Sequence, residues 1–264
     1  MTWLSVGPLS FDADLVVFDK DGTLIDFEYT WGRLVATSVE GLLAAVQGDD
    51  TMRRDLYRTL GYDPQAGRTA GDGPLATAPI AKLCTIAATV LYQHGLAWDD
   101  AEAHIQASFA AGLTAPPLSD LIRPVADVHG LLSHLQLAGV RVAVVTTDDR
   151  AATEETLALL GIADLVDFLI CGDDGIPVKP APDAVLKGCD RLGAQPGRTV
   201  VVGDTITDMV MARRAGAGCR AGVLTGVGSR ASLAGHCDVI LDSIADIRAS
   251  TKDADPSLQP DGRQ

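Results

Sequence analysis

Two acids spaced by two residues close the run Val16-Val17-Phe18-Asp19-Lys20-Asp21-Gly22-Thr23-Leu24. Alternation along an extended chain turns Asp19 and Asp21 to the same side at the strand's carboxyl end, the edge at which open α/β sheets bind ligands. Carboxylates so close repel unless a cation lies between them or one keeps its proton, and both conditions are useful to an enzyme. A solvated turn after a strand would use the same Asp-x-Asp-Gly pattern. A second pair, Asp204 and Asp208, follows another apolar run in Val200-Val201-Val202-Gly203-Asp204-Thr205-Ile206-Thr207-Asp208, and residues four apart share a helix face. Taken separately, Asp204 reads as a helix N-cap and Asp208 as a first-turn acid favoured by the helix dipole. Two strands of one sheet that both end in acid pairs point instead to a magnesium site, because Mg2+ prefers hard oxygen ligands and needs no histidine. Thr146, ending Val142-Ala143-Val144-Val145-Thr146, and Lys179, in Val178-Lys179-Pro180, follow successive strands and add a hydrogen-bond donor and a cation at the same edge.

The elements that must position these residues are legible as Val- and Ile-rich runs: Leu15 to Phe18, Val140 to Val145, Phe168 to Cys171, Thr199 to Val202, Ala221 to Leu224 and Val239 to Leu241. Continuous apolar runs of this length read as strands of a parallel sheet covered on both faces. Helical patterns lie between them, and Gly139, Gly161 and Gly193 follow such patterns where a left-handed cap is needed. The fold class expected is α/β, a Rossmann-like open parallel sheet. About 120 residues separate the first strand from the second, far more than a crossover loop requires, so a unit is inserted there. Residues 30–46 place Trp31, Leu34, Val35, Val39, Leu42, Leu43 and Val46 on one helical face, which reads as core. Helices are also expected over Thr51 to Leu60, over Pro79 to Gln93, and from Asp99, where Glu102 has capping-box spacing. The loop from Gly61 to Pro79 lacks an apolar period and is expected to be exposed and mobile. The division is therefore 1–25 and 123–250 for the α/β core, 26–122 for an all-α insertion, and a polar tail after Ile247, with 251–264 flexible.

Composition narrows the function classes. The 264 residues are 47% hydrophobic and 21% charged, which opposes general disorder. A net charge of −14 repels nucleic-acid phosphates. The apolar stretch from Ile80 to Tyr92 contains Lys82 and is shorter than a membrane helix. Asp12, Asp14 and Asp19 lie where a secretory leader would need a basic end and an apolar run, so a cytoplasmic location is expected. Cys84, Cys171, Cys189, Cys219 and Cys237 contain no C-x-x-C pair, against both a disulfide framework and a zinc site.

Together Asp19-Lys20-Asp21-Gly22-Thr23, Thr146, Lys179 and Gly203-Asp204 with Asp208 resemble, in order, the four motifs of haloacid dehalogenase (HAD) superfamily phosphatases. The position of the insertion is similar to the C1 helical cap of phosphoglycolate-phosphatase-like members. The resemblance implies that Asp19 is the nucleophile on phosphorus, that Asp21 is the acid and base, that Thr146 and Lys179 bind the phosphoryl group, and that Mg2+ is held by Asp19, Asp204, Asp208 and the backbone carbonyl of Asp21. It implies a small soluble phosphomonoester as substrate, phosphoglycolate-like or a sugar phosphate, and a monomer or homodimer without nucleic-acid or membrane partners. Because halide leaves without a proton and an alkoxide does not, Asp21 favours ester chemistry over dehalogenation. Two positions depart from the pattern: Lys20 stands where an aliphatic residue is more common, and Asp148 and Asp149 follow Thr146 where Asn or a basic residue is usual, although either acid could cap the helix ahead of Glu154 and Glu155. Arg33, Arg68 and Lys82 are candidate anion contacts on the insertion, left unassigned. The alternatives are a sugar-phosphate mutase, a silent binding protein, and a dinucleotide site at Gly226-Val227-Gly228-Ser229-Arg230-Ala231 with Asp242.

Overall fold

The computed structural model of the protein describes residues 2–114 and 117–250. Among the described residues eleven strands run in chain order: β1 (Trp3–Val6), β2 (Leu9–Asp12), β3 (Leu15–Phe18), β4 (Tyr62–Asp63), β5 (Arg68–Thr69), β6 (Arg141–Val145), β7 (Phe168–Ile170), β8 (Thr199–Gly203), β9 (Cys219–Val223), β10 (Val239–Leu241) and β11 (Ile247–Ser250). The helices are α1 (Arg33–Val46), α2 (Asp50–Leu60), α3 (Pro74–Thr77), α4 (Ile80–Gln93), α5 (Trp98–Thr114), α6 (Val128–Leu137), α7 (Arg150–Leu159), α8 (Asp183–Leu192), α9 (Ile206–Ala215) and α10 (Arg230–Leu233). None of them is long and apolar enough to cross a membrane.

Six strands form one parallel sheet in the order β10-β9-β8-β3-β6-β7. The first of its strands in sequence, β3, lies between β6 and β8, so the chain leaves it in one direction and returns on its other side. That reversal is the switch point at which doubly wound sheets open a crevice. All four residues of β3 are buried, as a strand flanked on both faces requires. Val16 and Phe18 pack with Leu131, Leu132 and Leu135 of α6 on one face. Leu15 and Val17 pack with Val185 of α8 and Met211 of α9 on the other. Gly139, Gly161 and Gly193 adopt positive φ of 79°, 67° and 66°, the left-handed turns the apolar periods anticipated.

The insertion has its own apolar cluster, built from Leu34, Val35 and Leu42 of α1, Leu56 of α2, Leu91 of α4 and Ile105 of α5. Its two connections to the core run side by side: Ile25 bridges Pro124, the Asp26 N–H donates to the Arg123 carbonyl at 2.8 Å, and the Val125 N–H donates to the Leu24 carbonyl at 3.1 Å. Gly61, at φ 80°, stops α2. The helix expected from Asp99 starts one residue earlier at Trp98, which leaves Asp99 inside the first turn.

Two expectations are corrected. The Gly61–Pro79 segment is exposed over residues 63–68, as expected, but it carries regular structure and is docked: β4 and β5 pair as a hairpin, Glu28 accepts from the Thr69 N–H at 2.7 Å and from its hydroxyl at 2.9 Å, and Leu75 is buried. Tertiary partners organise it, which local periodicity does not report. The chain after Ile247 is also structured through Ser250, because β11 pairs with β1 in an antiparallel sheet of order β11-β1-β2. Leu4, Val6 and Ile247 bury their side chains in the core cluster. Residues 251–264, expected to be flexible, lie outside the described residues.

The segment that leads from β7 to Lys179 is pinned by Asp174, whose carboxylate accepts from Arg150 Nε at 2.8 Å, from Arg150 Nη2 at 2.6 Å and from the Cys171 N–H at 2.9 Å. Hydrogen bonding to Arg150 holds the Asp174 carboxyl below its usual pKa. A carboxylate depressed in the folded state stabilises it above the unfolded pKa of about 4, and that contribution is lost as pH falls through the folded value. Asp174→Asn is therefore expected to cost about 1 kcal/mol at pH 7. The gap to the parent protein should close as the pH is taken to about 2, as read by urea unfolding at the two pH values.

Candidate active site

Each acidic residue is placed by the end of a strand. The Asp19 N–H donates to the Val202 carbonyl at 2.9 Å, continuing the β3–β8 ladder one residue beyond β3. Asp204 follows β8 directly and is fully buried. Thr205, and not Asp204, caps α9: its hydroxyl accepts from the Asp208 N–H, while Asp208 Oδ2 accepts from the Thr205 N–H at 3.1 Å and from its hydroxyl at 2.5 Å. This reciprocal cap turns Asp208 back toward the strand ends. The result is that Asp19, Asp204 and Asp208 each offer an oxygen within 4.8 Å of the others. Lys179, arriving from beyond β7, sets its Nζ 2.5 Å from Asp19 Oδ1 and 2.7 Å from Asp208 Oδ1.

The glycines around Asp204 explain its burial. A Cβ on Gly226 would lie 1.9 Å from Asp204 Oδ2, and one on Gly22, at φ +83°, would lie 2.5 Å from it. The Val227 N–H donates to that oxygen at 2.8 Å, and the Thr225 hydroxyl donates to the Gly22 carbonyl at 2.6 Å. The Gly226-x-Gly228 pattern thus serves close approach of backbone to a carboxylate, since a Cβ on Gly228 would meet the Asp204 carbonyl oxygen at 1.9 Å. The helix that follows has only four residues, and Asp242 pairs with Arg230, unlike a dinucleotide unit.

Beside this cluster stands a second one. Asp21 Oδ1 accepts from the indole Nε1 of Trp31 at 2.8 Å, and Lys20 Nζ lies 2.9 Å from Asp21 Oδ2 and 2.9 Å from Asp148 Oδ2. Lys20 is only 2% exposed. Asp148 is thus an ion-pair partner rather than a helix cap, and Asp149, at the N-cap position of α7, makes no side-chain cap bond. Trp31, expected as core, sits in a wide π-type turn (Glu28–Gly32) that precedes α1 and lines the cleft with Phe27 and Leu75. Thr146 is buried, and its hydroxyl accepts from the Asp148 N–H at 3.1 Å; its neighbour Thr147 reaches the cleft lining with Thr205 and Thr207. Arg33, Arg68 and Lys82 are exposed and do not line it.

Burial sets the electrostatics. It pushes the Asp19 carboxyl up to about 7 against the pull of Lys179, with Asp208 and Asp21 adding repulsion. Burial likewise raises Asp21, and it raises Asp204 well above the carboxylate range, where Asp19 and Asp208 add to the effect. For Lys179 burial acts in the opposite direction, but Asp19 and Asp208 overcome it and hold the ammonium charged. Asp204 Oδ1 is buried with no hydrogen-bond partner. An orphaned carboxylate oxygen among two others, with no histidine or cysteine in the group, fits a hard divalent cation such as Mg2+.

A family model of haloacid dehalogenase-like hydrolases matches residues 13–216. The chain belongs to this family. The hydrolase is 27% identical over 238 residues to validoxylamine A 7'-phosphate phosphatase of Streptomyces hygroscopicus subsp. limoneus, covering 89% of this chain and 95% of that protein. A shorter match, 35% identical over 89 residues, links it to the plasmid phosphoglycolate phosphatase of Cupriavidus necator, covering 34% of this chain and 38% of that one. Among solved structures, a predicted phosphoglycolate phosphatase from Haemophilus somnus superposes with a TM-score of 0.69 at 22% identity, covering 89% and 96% of the two chains. At that identity the likeness shows the fold of the hydrolase.

Gly226→Ala is expected to lower hydrolase activity by about 100-fold or more and to cost about 1–3 kcal/mol, since the added methyl displaces Asp204. Gly41→Ala, with open space around its Cβ inside α1, serves as the control and should be neutral or stabilising by up to about 1 kcal/mol. Steady-state rates and thermal unfolding of the two variants check this.

Proposed function

We propose that the protein is a Mg2+-dependent phosphatase that hydrolyses a small soluble phosphomonoester, phosphoglycolate-like or a sugar phosphate, through an aspartyl-phosphate on Asp19. The observation that carries the reading is the convergence of Asp19, Asp204 and Asp208 oxygens within 4.8 Å, with Lys179 between two of them and Asp21 held alongside. The family membership and the phosphatase names of the relatives support it.

Asp19, the carboxylate nearest Lys179 Nζ, attacks phosphorus; the new bond is Asp19 O–P, and the bond that breaks joins phosphorus to the ester oxygen. An alkoxide is a poor leaving group, so Asp21 donates its proton to that oxygen. Burial raises the Asp21 carboxyl above its ordinary value against the pull of Lys20 and Trp31, the direction a general acid needs. In the second step Asp21, now a carboxylate, takes a proton from the water that attacks the acyl phosphate, restoring Asp19 and releasing inorganic phosphate. Trp31 and Lys20 fix the orientation of Asp21 for both transfers. Lys179 offsets the charge on the transferring group, and Thr146, its hydroxyl oriented by the Asp148 N–H, retains a proton to donate to a phosphoryl oxygen. Asp19, Asp204 and Asp208, with the Asp21 backbone carbonyl, would hold Mg2+, which supplies Lewis-acid stabilisation of the phosphoryl oxygens. The helical insertion would select the leaving group and exclude water.

With Mg2+ and a panel of phosphomonoesters, inorganic phosphate release is expected, and excess chelator should abolish it; full activity in chelator, or isomerised sugar phosphate without phosphate release, refutes the reading. Asp19→Asn should lose activity by about 1,000-fold or more with unchanged circular dichroism. Asp21→Asn should slow alkyl phosphates by about 100-fold or more, but p-nitrophenyl phosphate far less, because nitrophenolate leaves without a proton. Equal losses on both esters would remove Asp21 from the acid role.

A further inference from the structure

Beyond the phosphoryl site the cleft is walled by Phe27, Trp31, Leu75 and Ile80 of the insertion, facing Thr147 and Asp148 of the core. The ester's leaving group must occupy this space. Among the described residues that line the cleft, four are acids, Asp19, Asp21, Asp148 and Asp208, and one is basic, Lys179. That base is engaged, with its Nζ 2.5 Å from Asp19 and 2.7 Å from Asp208. Lys20 lies behind the lining, 2.9 Å from both Asp21 and Asp148. The remaining candidates point elsewhere: the Arg33 guanidinium lies 4.6 Å over the Tyr29 ring, and Arg68 and Lys82 are exposed outside the cleft.

Asp148 is the acid that a leaving group meets on the core wall, with its ammonium partner Lys20 behind the lining. One of its oxygens accepts from the Asp149 N–H at 2.8 Å and the other from Lys20 at 2.9 Å, and the residue is 7% exposed. A carboxylate held in that way cannot swing aside for a second anion. Sites reject unwanted ligands by placing like charge against them, and close to buried groups the penalty is little screened.

Resting on the phosphatase reading above, we infer that the substrate is the monophosphate ester of a hydroxylated alcohol whose leaving group carries no second anionic group. It lies with its apolar face on Trp31 and Leu75 and offers its hydroxyls to Asp148 and Thr147. Esters bearing a carboxylate or a further phosphate, phosphoglycolate included, are disfavoured by Asp148 and by the lack of a free cation among the described cleft residues.

The test compares kcat/KM within pairs that differ only by oxidation of a carbinol to a carboxylate: glycerol 3-phosphate against 3-phosphoglycerate, and glucitol 6-phosphate against 6-phosphogluconate, with phosphoglycolate and p-nitrophenyl phosphate alongside. The alcohol member is expected to be preferred by about tenfold or more in each pair that turns over. Ile80→Lys, or Thr77→Lys where the first variant fails to fold, should narrow that ratio by about tenfold by placing an ammonium on the cleft wall. Because a ratio cancels the amount of active enzyme, partial misfolding does not mimic the effect. A carboxylate ester turned over as well as its alcohol partner, or a ratio unmoved by the introduced lysine, overturns the inference while phosphate release upholds the phosphatase reading. Failure to release phosphate from every ester, p-nitrophenyl phosphate included, removes the phosphatase reading itself and the inference with it.

Discussion

Like charges forced together at the end of a buried sheet are the constraint to which the rest of this molecule answers. Asp19, Asp204 and Asp208 bring oxygens within 4.8 Å of one another at a largely buried site at the base of the cleft. Carboxylates so placed cannot all remain ionised without a compensating cation. A chain without another purpose for them would replace at least one by a neutral residue. The fold instead maintains the arrangement with several independent devices: the β3–β8 ladder that extends to Asp19, the reciprocal cap that aims Asp208, and the Val227 N–H on Asp204. Each acts on a different segment of the backbone and positions a different acid of the cluster.

The sheet explains why those segments meet. A parallel sheet delivers every strand's carboxyl end to one rim, and because β3 lies between β6 and β8, the loops after its neighbours flank the loop that carries Asp19. The insertion leaves from that same rim through two paired connections. It therefore stands over the carboxylates and contributes Trp31 to Asp21 directly. The segment Gly61–Pro79, docked through Glu28 and Thr69, continues that wall with Leu75.

The parts of this arrangement that were legible in the sequence are those with a strong local cause. Strands covered on both faces write continuous apolar runs, and acids at their ends stand out against them, so β3, β8, Asp19, Asp21, Asp204 and Asp208 could all be located. The β11-β1-β2 sheet was not, because its strands are four residues long and β1 meets β11 across some 240 residues of chain. Asp148 read as a cap because Lys20, its partner, lies 128 positions away. Trp31 belongs to the insertion's core as its periodicity indicates, but periodicity records which face of a helix is buried and not that its indole N–H meets Asp21. The Gly226-x-Gly228 pattern is the most instructive case: it reports close backbone approach correctly, and a carboxylate stands where a dinucleotide would place its pyrophosphate.

Lys20 makes sense once the charges are grouped by contact. Asp19 and Asp208 share the single ammonium of Lys179, and Asp204 offers an oxygen within 4.8 Å of both, which leaves two uncompensated negative charges, the complement of one divalent ion. Asp21 and Asp148 share the ammonium of Lys20, which leaves one, the complement of one proton. An aliphatic residue at position 20 would leave Asp21 and Asp148 without that ammonium, with Trp31 as the remaining partner of Asp21, and Asp21, the proposed acid and base, would then be governed more strongly by the neighbouring cluster. Lys20 thus separates two groups of carboxylates electrostatically although their residues are adjacent in sequence; in the proposed mechanism one group ligates and the other transfers a proton. Both buried ammonium groups are committed to carboxylates of the chain, Lys179 to Asp19 and Asp208 and Lys20 to Asp21 and Asp148, and the described residues that line the cleft include no further cation.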